Sequence, residues 1–272
     1  MTNSEGFHCV GLDLAWGMTA RTGVAVVASD GHLVASASVV HDQEIKDFLR
    51  PYADSIRTAA IDAPLVVKNP SGQRPCERQI GAAFGRFEAS AHSSNLGRQY
   101  FVAPRGARLA DEFGWDMDPG VRPSPGRPTC IEVYPHPAMV SLFGLDQTIK
   151  YKGRHGRTVI YRQAAFDVLL GHMATHLTTL RLADHPRWSA LRDIAVHATR
   201  PVDLETIEDE IDAIFCAHLA WLWVTAPERL MVFGDFDAGY IVTPPAPGFS
   251  LGRSASSDAG IVATGDARDD PA

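Results

Sequence analysis

Cysteine is scarce in this chain, and its few cysteines are far apart. Cys9, Cys76, Cys130 and Cys216 are the four present in 272 residues, and no two of them form a CxxC pair. This spacing argues against a disulfide framework and is typical of reduced, buried thiols in a cytosolic protein.

Long apolar runs and targeting signals are also missing. No window approaches 18 uninterrupted apolar residues, so we expect no contact with a membrane. The N-terminal stretch MTNSEGFH is polar and lacks the basic-then-apolar pattern of a signal peptide. We therefore expect a cytoplasmic protein.

The chain as a whole has no excess of basic residues, and its formal charge of −7 does not indicate nucleic-acid binding. The charge is uneven, however. Residues 91–162 hold ten lysines and arginines against six acids, a net charge of +4, which leaves −11 for the rest. A locally basic middle in an acidic protein is compatible with a site for a polyanion.

Hydrophobic patterning predicts one α/β domain over residues 1–244. Three β-rich runs come first (HCVGLDLAW, TGVAVVAS and HLVASASVV), followed by a helix in DQEIKDFLRPYA and a fourth strand in TAAIDAPL. A fifth strand in TCIEVYPHP, helices near residues 161–182 and 207–223, and a strand pair in MVFGDFDAGYIVTP complete the domain. These elements predict a mixed sheet with helices on its faces.

Two segments lack this regular pattern. Residues 68–128 are irregular and rich in Pro, Gly and Arg, which predicts an insertion around one short helix near residues 75–88. Residues 245–272 are low in bulky apolar residues and rich in Gly, Pro, Ser and Asp, which predicts a disordered tail.

Acidic residues stand where core residues are expected in four segments. Asp13 lies in the middle of the first apolar run, where an unpaired buried carboxylate costs several kcal/mol. Asp62 and Glu132 lie at the ends of the fourth and fifth strands. Asp209 and Asp212 are three residues apart on the last helix, so they share one face of it.

If these elements meet, the carboxylates form a cluster that needs a counter-ion. Each pair at ~4 Å repels by roughly 1–4 kcal/mol across plausible dielectric constants. Ligands that are all oxygen favour Mg²⁺ or Mn²⁺. Two such ions would clamp a phosphodiester, one activating water and the other stabilising the leaving oxygen. The pattern therefore predicts a Mg²⁺ or Mn²⁺ site formed by Asp13, Asp62, Asp209 and Asp212, with Glu132 in or near it.

Several of these acids also have a purely structural explanation. Asp62 precedes Ala-Pro and fits a strand-to-loop corner. Asp209 fits the fourth position of a capping box that starts at Thr206. Glu132 can pair with an arginine of the insertion. The acids at mid-strand and mid-helix are the hardest to explain in this way.

Candidate phosphate-binding residues are concentrated in the loop IKYKGRHGR. Lys150, Lys152 and Arg154 lie among its glycines, so the loop can follow a phosphate backbone or be a solvated surface loop. Lys152 is the preferred phosphate contact. Arg74 and Arg78 accompany a polar stretch, NPSGQR, and either reach the substrate or pack against the core acids.

Five motifs in this order resemble a known family. GLDLAWG, AAIDAPL, IEVYPHPAM, YKGR and DEIDAIFCAHLA are similar to domain-of-unknown-function family 429, described as predicted RNase H-like nucleases and similar in plan to RuvC-type Holliday-junction resolvases. The resemblance covers roughly residues 8–244.

The resemblance implies an RNase H-like core, which is a five-stranded mixed sheet that starts with an antiparallel meander. It also implies metal-binding roles for Asp13, Asp62, Asp209 and Asp212. The second acid of the resolvases is commonly Glu, whereas this chain has Asp62, and Glu132 is additional to the resolvase set.

The sequence favours a metal-dependent nuclease that acts on DNA or RNA. The alternative is a non-catalytic RNase H-like module that binds nucleic acid or nucleotides. An ATP-dependent phosphotransferase is less favoured, because such enzymes need two domains of this kind. The sequence leaves open whether the chain acts as a homodimer.

Overall fold

The computed structural model describes residues 6–17 and 19–248. Its strands are β1 (His8–Asp13), β2 (Thr22–Ala28), β3 (Leu33–Val39), β4 (Ile56–Asp62), β5 (Thr129–Glu132), β6 (Met231–Asp235) and β7 (Gly239–Thr243). Its α-helices are α1 (Asp42–Leu49), α2 (Pro75–Phe84), α3 (Arg105–Phe113), α4 (Pro135–Phe143), α5 (Val159–His176), α6 (Pro186–His197) and α7 (Pro201–Thr225).

Five of the strands form one mixed sheet in the order β3-β2-β1-β4-β5. The first three strands are an antiparallel meander, while β4 pairs in parallel with β1 and β5 in parallel with β4. The predicted five-stranded mixed sheet is therefore confirmed, and the arrangement is consistent with an RNase H-like fold. Strands β6 and β7 form the predicted closing pair as a separate two-stranded sheet.

Helices cover both faces of the large sheet, as predicted. A Cβ built on Gly11 of β1 would lie 2.0 Å from the carbonyl oxygen of Ala213, so α7 lies directly on one face. A Cβ built on Gly106 of α3 would lie 3.6 Å from Cγ2 of Ile61. Because Ile61 precedes Asp62 on β4, their side chains point to opposite faces, and α3 covers the face opposite Asp62.

Helix α7 begins six residues earlier than predicted. Pro201 occupies its first turn, and the Asp203 carboxylate accepts hydrogen bonds from the backbone N–H groups of Thr199 and Arg200 at 3.1 and 2.9 Å. A proline loses no helical hydrogen bond at this position, and an acid there complements the helix dipole. Asp209 is consequently inside the helix, and the capping explanation for it is wrong.

Three other helices were not predicted. The insertion contains α3 as well as α2, so a single helix in residues 68–128 is wrong. The prolines of TCIEVYPHP end the strand as expected but also occupy the first turn of α4, where proline is tolerated. Helix α6 lies between α5, which ends at His176, and α7.

The remaining predictions concern cysteines, membrane spans and the tail. All four cysteines are buried free thiols. Within residues 6–17 and 19–248, no helix has both the length and the apolar character needed to cross a bilayer. Residues 249–272 of the predicted tail lie outside the described residues.

Candidate active site

Two of the predicted acids lie side by side where adjacent parallel strands end. Asp13 is the last residue of β1, so its predicted place in the middle of the strand is wrong. Asp62 is the last residue of β4, and the two are register partners. Asp13 is two residues after Gly11, so its side chain shares the sheet face that α7 covers. The strand pairing therefore directs both carboxylates toward α7.

A glycine on β2 brings α7 down to the level of Asp13. Gly23 is the register partner of Asp13, and a Cβ built on it would lie 1.8 Å from the carbonyl oxygen of Asp209. The helix backbone can rest there only because Gly23 has no side chain. Asp212 follows one turn later and is fully buried.

The side chain of Lys152 lies between the acids of β1 and α7. Its Nζ is 3.4 Å from Oδ2 of Asp13 and 2.6 Å from Oδ2 of Asp212. These two carboxylate oxygens are consequently within about 6 Å of each other. The Tyr151 hydroxyl donates a hydrogen bond of 2.6 Å to the other oxygen of Asp212.

The backbone that carries Lys152 is held by two arginines. Arg157 Nη1 donates to the Lys152 carbonyl at 2.7 Å, and Arg162 Nε donates to the Tyr151 carbonyl at 2.9 Å. Arg162 also pairs with Glu208 of α7 at 2.8 Å. The loop predicted to be a flexible phosphate contact is thus anchored at Lys152.

The electrostatics of the site reflect several buried carboxylates around one ammonium. Burial raises the pKa of Asp13 well above its usual range; the Lys152 charge opposes this shift, and the neighbouring carboxylates add to it. Burial likewise raises the pKa of Asp62 and that of Asp209 to about 7 each, with Asp212 adding repulsion in both cases. Burial lowers the pKa of Lys152, but Asp13 and Asp212 outweigh it and hold the value well above normal.

The donor set suits a hard divalent cation, although its side chains are not arranged for one. Oδ2 of Asp212 is buried and has no hydrogen-bond partner, because its 2.6 Å contact with Lys152 lacks hydrogen-bond geometry. Over residues 6–17 and 19–248, no three His, Cys, Asp or Glu side chains stand ready to hold one metal ion. Lys152 takes the position of a cation between Asp13 and Asp212, so a divalent ion would have to displace its ammonium.

Glu132 and Arg74 form an ion pair with each other. Arg74 Nη2 and Nη1 donate to the two Glu132 carboxylate oxygens at 2.5 and 2.9 Å, and the Leu65 backbone N–H donates to Glu132 at 2.9 Å. Arg74 also pairs with Glu77 at 2.9 Å and is 1% exposed. This geometry favours the structural alternatives stated for both residues, arginine pairing for Glu132 and core packing for Arg74.

The other predicted substrate contacts are dispersed. Arg78 Nη1 donates to the Gln73 carbonyl at 2.6 Å, and Lys150 pairs with Glu88 at 2.5 Å. Arg154 is exposed. Of the predicted basic residues, the structure brings Lys152 to the acids of β1 and α7.

A pocket of about 410 Å³ opens at this end of the sheet. Asp13, Asp62, Lys152 and the Arg74–Glu132 pair line it, together with the aromatic rings of Trp16, Tyr134 and His136. Burial lowers the pKa of His136 to about 3, so this imidazole is neutral at physiological pH.

Sequence reasoning missed the functional interest of these rings and of Tyr151. Trp16 stands in the same motif as Asp13, and Tyr151 directly precedes Lys152. The available signal was the proximity of each ring along the chain to a candidate site residue, Trp16 to Asp13 and Tyr151 to Lys152.

Comparison with known proteins places the chain in a family. Residues 11–238 match the family described as "Protein of unknown function (DUF429)". This span includes Asp13, Asp62, Lys152, Asp209 and Asp212. The chain belongs to this family. The resemblance to DUF429 stated from the motifs is thus confirmed, and the DUF429 description names no activity. No curated protein and no solved structure matches the chain.

Proposed function

We propose that this protein is a metal-dependent nuclease that hydrolyses phosphodiester bonds of DNA or RNA. The observation that supports it is the convergence of carboxylates from β1, β4 and α7 on one face of the sheet, beside a pocket. The four acids that would hold Mg²⁺ or Mn²⁺ are Asp13, Asp62, Asp209 and Asp212. When bound, such ions supply an activated water and neutralise the leaving oxygen.

Lys152 has a second role in this proposal. Its ammonium pairs with Asp13 and Asp212, two of the acids that would hold a divalent cation. Once a cation replaces it, the ammonium is free to turn into the pocket that it already lines, where it would bind a phosphate oxygen of the substrate.

One observation favours the alternative, a non-catalytic binding module. Lys152 already neutralises part of the charge of Asp13 and Asp212, as Arg74 does for Glu132. A cluster compensated in this way could stabilise the fold without binding metal. A two-domain phosphotransferase remains less favoured, because the described part of the chain forms a single five-stranded sheet.

The deciding experiment measures cleavage of single-stranded, double-stranded and branched DNA and RNA, with Mg²⁺, with Mn²⁺ and with EDTA. We expect metal-dependent cleavage by the parent protein and a loss of about 100-fold or more in Asp13→Asn and Asp212→Asn, whose folds survive in circular dichroism. Asp167→Asn, an exposed carboxamide substitution on α5, should cleave like the parent. The proposal fails if the parent cleaves none of these substrates and calorimetry detects no binding of either ion.

A further inference from the structure

An exposed tryptophan lines the acidic pocket. Trp16 follows Asp13 by three residues, is 38% exposed, and lines the same pocket as Asp13 and Asp62. Tryptophan is enriched among the residues that dominate binding interfaces, so its position in the wall of the pocket makes it a candidate ligand contact.

Trp16 is supported by neighbours from the insertion. The buried ring of Phe101 packs edge-to-face against the Trp16 ring, with 5.0 Å between centroids. Tyr100 is 58% exposed, and its ring lies 3.8 Å from a Cβ built on Gly17, next to Trp16 along the chain. Both rings and Trp16 line a small hollow that adjoins the main pocket. We call Trp16, Tyr100 and Phe101 the aromatic rim.

The size of the pocket limits what can enter. A volume of about 410 Å³ lies in the range of pockets that hold one small molecule. It accommodates a nucleotide-sized group. Apolar surface from Leu14 and Pro64 lines the pocket together with the charged groups. A base can therefore contact the apolar surface while a phosphate contacts Lys152.

Basic residues lie near the rim, one in the pocket and one close to Tyr100 along the chain. Lys152 lines the pocket beside the acids, and Arg98 is an exposed residue two positions before Tyr100. A strand whose base enters the pocket would meet these cations with its neighbouring phosphates.

We propose that the aromatic rim stacks an unpaired nucleobase on Trp16 while the adjacent phosphate lies at Lys152. The substrate is then a single-stranded nucleic acid or a frayed end, not an intact duplex. Aromatic stacking is how proteins hold unpaired bases without reading their sequence. The proposal rests on the proposed function for the position of the phosphate, but base stacking is a binding property that can be measured without cleavage.

The test measures binding of the full-length protein to a fluorescein-labelled single-stranded oligonucleotide by anisotropy, with Mg²⁺ and with EDTA, on a phosphorothioate backbone that resists cleavage. We expect tighter binding of the single strand than of the blunt duplex of the same sequence. Trp16→Ala should weaken single-strand binding about 5-fold to 100-fold, while Trp16→Phe should stay within about threefold of the parent. Tyr161→Ala, which removes a 50% exposed ring on α5, should bind like the parent.

Two further probes keep the result independent of folding. An oligonucleotide with abasic sites retains its phosphates and should bind the parent protein as weakly as the intact oligonucleotide binds Trp16→Ala. A nucleoside monophosphate should compete only weakly, because it lacks the flanking phosphates.

Three results would each overturn the inference. The first is equal affinity of the protein for the single strand and the duplex, and the second is equal single-strand affinity of Trp16→Ala and Tyr161→Ala. The third is competition by the monophosphate as strong as that by the unlabelled oligonucleotide. Base-dependent binding without cleavage would instead support the inference and reject the nuclease. Cleavage of duplexes that is indifferent to Trp16 would support the nuclease and reject the inference.

Discussion

The ammonium of Lys152 lies 2.6 Å from Oδ2 of Asp212, a residue with no exposed surface. This contact makes Lys152 the internal counter-ion of the cluster. One ammonium faces four carboxyl groups, and burial raises the pKa of three of them, so protons as well as Lys152 reduce the negative charge of the metal-free site.

Removing this counter-ion should destabilise the metal-free protein and increase its response to metal. We expect Lys152→Met to lose about 1–3 kcal/mol of unfolding free energy in EDTA. This loss is smaller than that expected on breaking a fully buried ion pair, because Lys152 is 29% exposed and its charge is partly screened by solvent. Saturating Mn²⁺ should restore most of this loss, which thermal denaturation with and without Mn²⁺ would measure. Lys150→Met is the matched control, because its partner Glu88 is 53% exposed, and it should change stability little. A variant of Lys152 that Mn²⁺ does not rescue would contradict the exchange of ammonium for metal.

Metal binding should strengthen as the pH rises through neutrality. The pKa values of Asp62 and Asp209 are about 7, above the ordinary value of 3.8, because burial and neighbouring carboxylates disfavour their charged forms. Between about pH 4 and pH 7 the folded protein therefore binds more protons than the unfolded chain, and the contribution of these groups to stability falls as the pH rises. The increase in Tm on adding Mn²⁺ should grow from about pH 5 to pH 8, because the ion competes with those protons.

The control for this pH dependence is the double variant Asp62→Asn with Asp209→Asn. In EDTA its Tm should fall less than that of the parent over the same pH range, and Mn²⁺ should shift it little. Parallel pH profiles for the parent and the double variant would show that these carboxyls do not titrate as described.

Glu132 should matter more for stability than for chemistry. Glu132→Gln leaves the buried Arg74 guanidinium with Glu77 as its acidic partner, so we expect a loss of about 3 kcal/mol in urea denaturation. Cleavage by the folded fraction should remain within about tenfold of the parent, in contrast to the much larger loss expected for Asp13→Asn. Full stability together with abolished cleavage would instead assign Glu132 to the metal site.

The close contact between β2 and α7 should be intolerant of any side chain. Gly23→Ala places a Cβ 1.8 Å from the Asp209 carbonyl oxygen, so the helix must move, and we expect a loss of about 3 kcal/mol or more. Gly171→Ala on α5 is the control: a Cβ there has no atom within 4 Å, and alanine favours the helix by about 1 kcal/mol. A Gly23 variant as stable as the parent would mean that α7 does not lie where the structure has it.

The sheet and the central acids could be predicted because their signals are local. Asp13 interrupts an apolar run, and Asp212 stands among apolar helix neighbours, so each is conspicuous within a few residues of sequence. The parallel pairing of β1 with β4 then places Asp13 and Asp62 side by side at the carboxyl ends of the two strands. The five-stranded plan followed from the family resemblance.

The features that could not be predicted depend on distant contacts. The sequence allows arginine pairing for Glu132 and core packing for Arg74 as alternatives, but nothing in it joins these two residues, which are 58 positions apart. Their pairing depends on the fold bringing Arg74, the N-cap residue of α2, to the end of β5. The prolines of TCIEVYPHP predict only the end of a strand, whereas in the structure they also occupy the first turn of α4. Lys152 lies between Asp13 and Asp212 because Arg157 and Arg162 anchor its loop. The sequence does not show these contacts, so this position could not be predicted.

That anchoring has a consequence for how quickly the site could exchange its positive charge. Since Arg157 and Arg162 fix the backbone on which Lys152 stands, the ammonium can leave the carboxylates by rotation of its own side chain, without a rearrangement of the loop. Rotamer changes of exposed side chains take picoseconds to nanoseconds. The two ion pairs of Lys152 slow its rotation, but no loop or domain opening is needed. The arrival of a divalent ion would then be limited by diffusion and by the shedding of its own hydration water, not by a slow conformational step.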